Sequence, residues 1–220
     1  MILIDIGNTN IVFAVSSNKI LKNIIRIESN QNNNQLNISI KKIIKKLIKI
    51  KKLDSPNRAI ISSVVPSLNK SIIKILKINK INELFLKSKN ILSFLKIDYN
   101  LNEIGADRIA NSIAIINNNI NNSIVIDFGT ATTFEVIKES IFSGGLIFPG
   151  INLSKNALIN KTSLLRNTDV VKTNNIVAKN TKDAIRSGFY WGYVFAINGI
   201  INKITNEKKF KPKIILTGGL

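Results

Sequence analysis

Residues 2–7 read Ile-Leu-Ile-Asp-Ile-Gly and residues 124–129 read Ile-Val-Ile-Asp-Phe-Gly, the same order of apolar run, acid, apolar residue and glycine written twice in one chain. Each copy continues into a short polar turn, Asn8-Thr9-Asn10 or Thr130-Ala131-Thr132, and then into a second strand-like run, Ile11 to Val15 or Thr133 to Ile137. A third apolar run follows in each half, at 20–27 and 141–148. Short apolar runs joined by tight turns predict a three-stranded antiparallel meander at the head of each half.

Behind each meander the periodicity becomes helical. Leu36, Ile40, Ile43, Ile44 and Leu47 share one face of 36–52 while most of its lysines lie opposite, which predicts an amphipathic helix packed on a sheet. Residues 59–65 predict a strand stopped by Pro66, and 67–78 a helix with Ser67 or Asn69 near its cap. A short strand is expected at 82–86 and a helix at 106–117. In the second half, 151–160 and 181–205 are expected helices, and 213–217 is a late strand leading into Gly218-Gly219. Strands alternating with helices after a meander define an α/β fold of two lobes, each a mixed sheet covered by helices. The Asn-rich stretch 115–122 is the expected join, giving lobes at 1–117 and 118–220.

Composition narrows the chemistry further. The chain has no cysteine and no histidine, which removes disulfides and thiolate chemistry and leaves a carboxylate, or less often lysine or tyrosine, as a general base near neutral pH. Only 13 acidic residues are available for that role. The net charge of +19 would ordinarily point to nucleic acid or anionic membrane. Here the lysines are scattered over every segment alongside a general excess of isoleucine and asparagine, and aromatic residues make up only 6%, too few for a base-stacking platform. A solvated basic surface is expected, with neither nucleic acid nor membrane as partner, and with some attraction for anionic substrates such as ATP. The N-terminus lacks the pattern of a signal peptide, and no apolar run approaches the roughly 20 residues of a membrane-spanning helix. A soluble, cytoplasmic protein is expected.

An aspartate followed by an apolar residue and glycine at the end of a buried strand fixes a carboxylate at the sheet's edge. The glycine lets the next turn bring backbone N–H groups close to a phosphate. Such turns are common in hairpins; two of them facing one another across a cleft would form a phosphate clamp. Paired loops of this kind, with a third glycine pair after a late strand, are found in actin, hexokinase and the heat-shock chaperone ATPases. The chain resembles that superfamily of duplicated ribonuclease-H-like lobes in Asp5-Ile6-Gly7-Asn8-Thr9, Asp127-Phe128-Gly129-Thr130-Ala131-Thr132-Thr133 and Thr217-Gly218-Gly219. Within the superfamily it resembles the type III pantothenate kinases. These carry Asp-x-Gly-Asn-Thr at the start, Gly-x-Asp-Arg midway, Asp-x-Gly-Thr-Ala-x-Thr, and Gly-Gly-x-Ile-x-Pro-Gly. The last three appear here as Gly105-Ala106-Asp107-Arg108, Asp127 to Thr133, and Gly144 to Gly150. Eight of the 11 glycines lie in these motifs, collinear with the family across nearly the whole chain.

The resemblance implies ATP-dependent phosphorylation of the primary hydroxyl of pantothenate, the first step toward coenzyme A, by a homodimer using ATP, Mg²⁺ and K⁺ or NH₄⁺. It implies that Asp5 organises Mg²⁺, directly or through water, while Ile6, Gly7, Asn8, Thr9, Asn10, Ile11, Val12 and Thr130 contact ATP. Asp107 would be the general base, or simply a cap on the following helix. Tyr99, Gly105, Ala106, Asp107, Arg108 and Thr181 would meet the substrate, with Tyr99 alternatively a packing residue and Thr181 alternatively a helix cap. Asp127 corresponds to a monovalent-cation position, or to a second Mg²⁺ aspartate as in related ATPases. Gly144-Gly145 and Pro149-Gly150 are turn formers or substrate and dimer contacts, and Phe189, Trp191 and Phe195 are apolar helix material for a dimer or for the core. Family members have a proline where this chain has Tyr99-Asn100-Leu101, and they continue past the Thr-Gly-Gly segment with a further helix. The second lobe is therefore expected to be shorter than theirs, by truncation or as a natural end. A noncatalytic accessory relative and an actin-like ATPase driving a conformational change are the competing functions.

Overall fold

A computed structural model describes residues 1–17, 20–50, 58–87, 93–162 and 168–219. They form two compact units, Met1–Leu95 with Asn100–Ala114, and Lys96–Tyr99 with Ile115–Leu220.

The first unit contains β1 (Ile2–Ile6), β2 (Asn10–Ser17), β3 (Ile20–Glu28), α1 (Asn33–Ile50), β4 (Arg58–Ser63), α2 (Pro66–Ile78) and β5 (Asn82–Phe85). Its five-stranded sheet runs β3-β2-β1-β4-β5, antiparallel across β1–β2–β3 and parallel across β1–β4–β5. The strand period of two sends Ile2, Ile4 and Ile6 to one face, where they are buried with Phe13 and Ile61, and leaves Asp5 exposed on the other. Leu36, Ile40, Ile44 and Leu47 of α1 and Ile72, Ile75 and Leu76 of α2 close over that apolar face. Lys41, Lys42, Lys45, Lys46 and Lys49 stand in solvent, as an amphipathic helix on a sheet requires, although positions 51 and 52 of the expected helix lie outside the described residues. The expected cap of α2 at Ser67 or Asn69 is corrected. The N-cap is Val65, without a side-chain bond, because Pro66 fits the first helical position. The Asn69 side chain accepts a 2.6 Å hydrogen bond from the Ser63 hydroxyl instead.

Next comes β6 (Lys96–Ile97), and then α3 (Ala106–Asn117), counted with the first unit as far as Ala114. The second unit continues through β7 (Ser123–Phe128), β8 (Ala131–Lys138), β9 (Ile141–Pro149), α4 (Ile151–Asn160), α5 (Thr181–Lys208) and β10 (Lys213–Gly218). Its sheet runs β10-β7-β8-β9-β6, again with an antiparallel meander and a parallel late strand. Ile124, Ile126, Phe134 and Val136 form its core with Ile204 of α5. Both meanders and the two-lobe α/β architecture are as expected; β6, two residues paired with Ile141 and Phe142, has no counterpart in the expectation. Thr181 is not the cap of α5. Asn180 takes that place, its side-chain oxygen accepting from the Asp183 N–H at 2.9 Å, so Thr181 is the first helical residue. Among the described residues no helix is long and apolar enough to cross a membrane.

Candidate active site

The first glycine turn closes on itself. The Gly7 N–H donates to the Asn10 carbonyl at 2.9 Å, so the chain reverses over Asn8 and Thr9, both exposed. Two bonds from the end of β3 brace it: the Ser29 hydroxyl donates to the Gly7 carbonyl at 2.6 Å, and the Ser29 N–H to the Thr9 carbonyl at 2.8 Å. Ser29 escaped the sequence analysis because its reach depends on the register that sets Asn10 opposite Glu28. Asp5 lies between Val12 and Ser62 in the ladder. Ile6 and Ile11 are fully buried in the core, so only their backbone atoms are available to a ligand, whereas Val12 is half-buried.

The Gly-x-Asp-Arg turn belongs to the same unit and reaches the same end of the sheet. The Val64 N–H, just past β4, donates to the Ile6 carbonyl at 3.0 Å, and a Cβ built on Gly105 would stand 3.7 Å from Val64 Cγ1. Gly105 also lies so close to the Asp107 carboxylate that a Cβ there would overlap Oδ1. Asp107 is the second residue of α3, half-buried, with Oδ1 accepting from the Arg108 N–H at 2.8 Å. Among the described residues its Oδ2 makes no hydrogen bond. A carboxylate held at one oxygen by a helix N-terminus presents the other in a fixed direction. Helix capping and proton acceptance are therefore compatible in this geometry. Arg108 is 5% exposed, so its side chain does not project into solvent.

In the second unit, glycines shape the corresponding loop. The Gly129 N–H donates to the Ala131 carbonyl at 3.1 Å, leaving Thr130 exposed at the tip. Asp127 pairs with Thr133 on one side and Thr217 on the other. A Cβ on Gly150 would overlap the Thr130 carbonyl oxygen, and one on Gly218, where φ is +118°, would overlap the Phe128 carbonyl oxygen. Here glycine is required for space at both positions and for backbone angle at the second. The Gly219 N–H donates to the Phe128 carbonyl at 3.1 Å, so Asp127, Thr130, Gly150 and Thr217 to Gly219 gather at one end of β7 and β10.

Two further expected substrate residues belong to the second unit. Tyr99, in the second unit, packs edge-on against Phe142 with ring centroids 5.7 Å apart and over Gly144, while remaining 38% exposed. Thr181 lines an apolar groove of about 510 Å³ together with Phe148, Leu158, Ile185, Phe189 and Tyr193. Beside it, hydrogen bonds from Asn180 and Arg186 hold the Asp183 carboxyl below its ordinary pKa. The fit to a nucleotide with its metals follows from the donor set. Among the described residues no three metal-ligating side chains cluster. Mg²⁺ is a hard ion that keeps its waters and needs only one or two carboxylates beside substrate phosphates, a demand that single aspartates such as Asp5 and Asp127, each beside a glycine turn, can meet.

A family model described as type III pantothenate kinase matches residues 1–203. The type III pantothenate kinase of Pelagibacter ubique (strain HTCC1062) is 41% identical over 218 residues, covering 98% of this chain and 85% of the relative. That of Sulfurihydrogenibium sp. (strain YO3AOP1) is 44% identical over 166 residues, covering 74% of this chain and 66% of the relative. Among solved structures, MreB5 of Spiroplasma citri bound to ADP is similar with a TM-score of 0.53 at 13% identity, over 99% of this chain and 84% of that one, a likeness of fold.

Proposed function

The chain belongs to the type III pantothenate kinase family, and from that premise we propose which of its residues carry each part of the reaction. It is an ATP-using kinase that phosphorylates pantothenate, the first step of coenzyme A synthesis. Asp107 is the general base: it takes the proton of the primary hydroxyl as that oxygen bonds to the γ-phosphorus and the bond to the β-bridging oxygen breaks, releasing ADP and 4'-phosphopantothenate. No histidine or cysteine competes for the role. Gly105, Ala106, Arg108, Tyr99 and Thr181 are the proposed pantothenate contacts.

The nucleotide falls to the glycine turns. Gly7 to Asn10, with the backbone of Ile6, Ile11 and Val12, and Thr130 in the second unit, are assigned to its phosphates. Asp5 is assigned to Mg²⁺, directly or through water, and Asp127 to a monovalent cation, K⁺ or NH₄⁺. When bound, these ions neutralise charge on the phosphates, the main electrostatic demand of phosphoryl transfer. The nearness of Gly105 to Val64, whose Cγ1 would be 3.7 Å from an added Cβ, and the hydrogen bond from the Val64 N–H to the Ile6 carbonyl carry this assignment: the Asp107 turn lies beside the end of β1, where Asp5 stands.

We assign the enzyme to the cytoplasm, where ATP is available. A homodimer is assigned to the outer face of α5, where Phe195 is 57% exposed and Cβ atoms built on Gly188, Gly192 and Gly199 meet nothing within 4 Å. The test of function is phosphorus NMR of the product formed from ATP and pantothenate. A phosphate ester signal coupled to methylene protons is expected. Loss of ATP with inorganic phosphate as the sole product would instead indicate a simple ATPase.

A further inference from the structure

Tyr193, in the middle of α5, is 9% exposed. Its ring meets Phe148 edge-on with centroids 5.5 Å apart and stacks with Phe189 at 6.4 Å. Phenylalanine would satisfy that packing. The hydroxyl does something more: it lies 3.1 Å from the Pro149 carbonyl oxygen and 2.7 Å from Ser154 Oγ. A carbonyl only accepts, so the phenolic proton goes to Pro149 and the Ser154 hydroxyl donates to the phenolic oxygen. One buried oxygen thereby joins α5, the end of β9 and the first turns of α4.

The segment held in this way presses on the second glycine turn. Pro149 pairs with Ala131 in the ladder, and Gly150 is the N-cap of α4, its carbonyl accepting from the Ser154 N–H at 2.9 Å. A Cβ on Gly150 would overlap the Thr130 carbonyl oxygen and stand 2.6 Å from that of Gly129. With φ at −72°, Gly150 needs no special backbone angle, so close approach alone calls for glycine there. At such contact a displacement of Pro149-Gly150 must displace Gly129-Thr130. The first turn has its own brace in Ser29, whereas here the comparable support comes from a helix side chain far along the chain.

We propose that Tyr193 is a positioning residue for the second phosphate loop, holding Gly150 against Thr130 so that the loop is set for the nucleotide before it binds. This rests on the assignment of Thr130 to ATP. The test compares Tyr193→Phe, which keeps the ring and removes the hydroxyl, with Ile204→Val, which loosens the core of the same unit without touching the bridge. Calorimetry with Mg-ADP in K⁺ buffer is the primary readout. The Tyr193→Phe enzyme is expected to bind Mg-ADP about 3- to 10-fold more weakly, the worth of one hydrogen bond. Its KM for ATP should rise in parallel, with the KM for pantothenate within about twofold of the starting enzyme. Ile204→Val should lower the melting temperature and leave Mg-ADP affinity in place.

An Mg-ADP affinity of Tyr193→Phe within about twofold of the unmodified enzyme, or an equal loss in Ile204→Val, overturns the proposal. If Tyr193→Phe does not fold, Ser154→Ala removes the donor to the same phenolic oxygen and must show a smaller shift of the same sign. An unmodified protein that binds Mg-ADP without phosphorylating pantothenate breaks the kinase assignment and leaves the calorimetric test standing. One that binds no Mg-ADP overturns both.

Discussion

The two meanders agree where they are apolar and part company where polar atoms lie. Asp5 faces Val12 and Asp127 faces Thr133, so Phe13 and Phe134 occupy the same step of their ladders, each fully buried. Two steps toward the turn from these phenylalanines, Ile11 corresponds to Thr132, and one step away from it, Ala14 corresponds to Glu135, all four buried. Among the described residues the Thr132 hydroxyl has no hydrogen-bond partner. The turns differ too: three residues, Gly7 to Thr9, separate β1 from β2, while Gly129 and Thr130 alone separate β7 from β8. The two copies share the apolar positions and the strand-end aspartate, and differ in polarity at Ile11 against Thr132 and Ala14 against Glu135. The first unit carries a turn braced by Ser29 and, near it, the proposed base Asp107, whereas the second builds its loop from close-packed glycines and places polar groups within the sheet itself.

That contrast can be broken at several points. The largest effect is expected from Asp107→Asn, since the proposed base lies in the first unit: kcat should fall by about 10²-fold or more with a smaller change in KM, measured by steady-state kinetics. Near-normal turnover would remove Asp107 from the role. The two loop aspartates should then separate by ion. Asp5→Asn is expected to lower kcat/KM for Mg-ATP by about 10²-fold, while Asp127→Asn should flatten the response to K⁺ and keep the Mg²⁺ dependence. Identical ion profiles for the two variants would mean that the loops do the same work.

Smaller effects concern stability. Gly218→Ala, at positive φ and against the Phe128 carbonyl, should destabilise by about 1–3 kcal/mol in denaturant unfolding. Gly7→Ala meets only the Asn10 carbonyl, at 3.2 Å, and should cost less. Thr132→Val replaces a buried unpartnered hydroxyl with a methyl of similar size and should stabilise by about 1 kcal/mol. A loss of stability there would show that the hydroxyl is structurally required.

The smallest effect is electrostatic. Because hydrogen bonds in the folded chain hold the Asp183 pKa below the ordinary carboxylate value, the charged carboxylate contributes stability above that ordinary value, and the contribution disappears as pH falls through the lowered pKa. The melting temperatures of wild type and Asp183→Asn should therefore differ at neutral pH and converge in acid.

Much of the fold can be read from the residues because its determinants are local. The repeat, the period-two burial of β1, and helices at 106–117 and 151–160 all follow from patterns within a dozen residues, and Gly105 and Pro149-Gly150 mark two helix starts. The N-cap of α2 was misplaced because serine and asparagine advertise capping, whereas the deciding feature was the fixed φ of Pro66. β6 is only two residues long, too short for any periodicity. The candidate site divides the same way. Asp5 to Asn10, Gly105 to Arg108 and Asp127 to Thr130 are contiguous motifs and were visible at once. Ser29 and Val64 act through strand register, and Tyr193 reaches Pro149 and Ser154 across 44 and 39 residues of chain. A tyrosine on a helix with Phe189 one turn before it was the one available signal, and it does not distinguish packing from bridging.

The most direct test of the account is ADP release by the purified protein with ATP, Mg²⁺ and K⁺, with and without pantothenate. The account predicts release that depends on pantothenate and disappears in Asp107→Asn. Release at the same rate without pantothenate, or none from a protein that binds ATP, would contradict it.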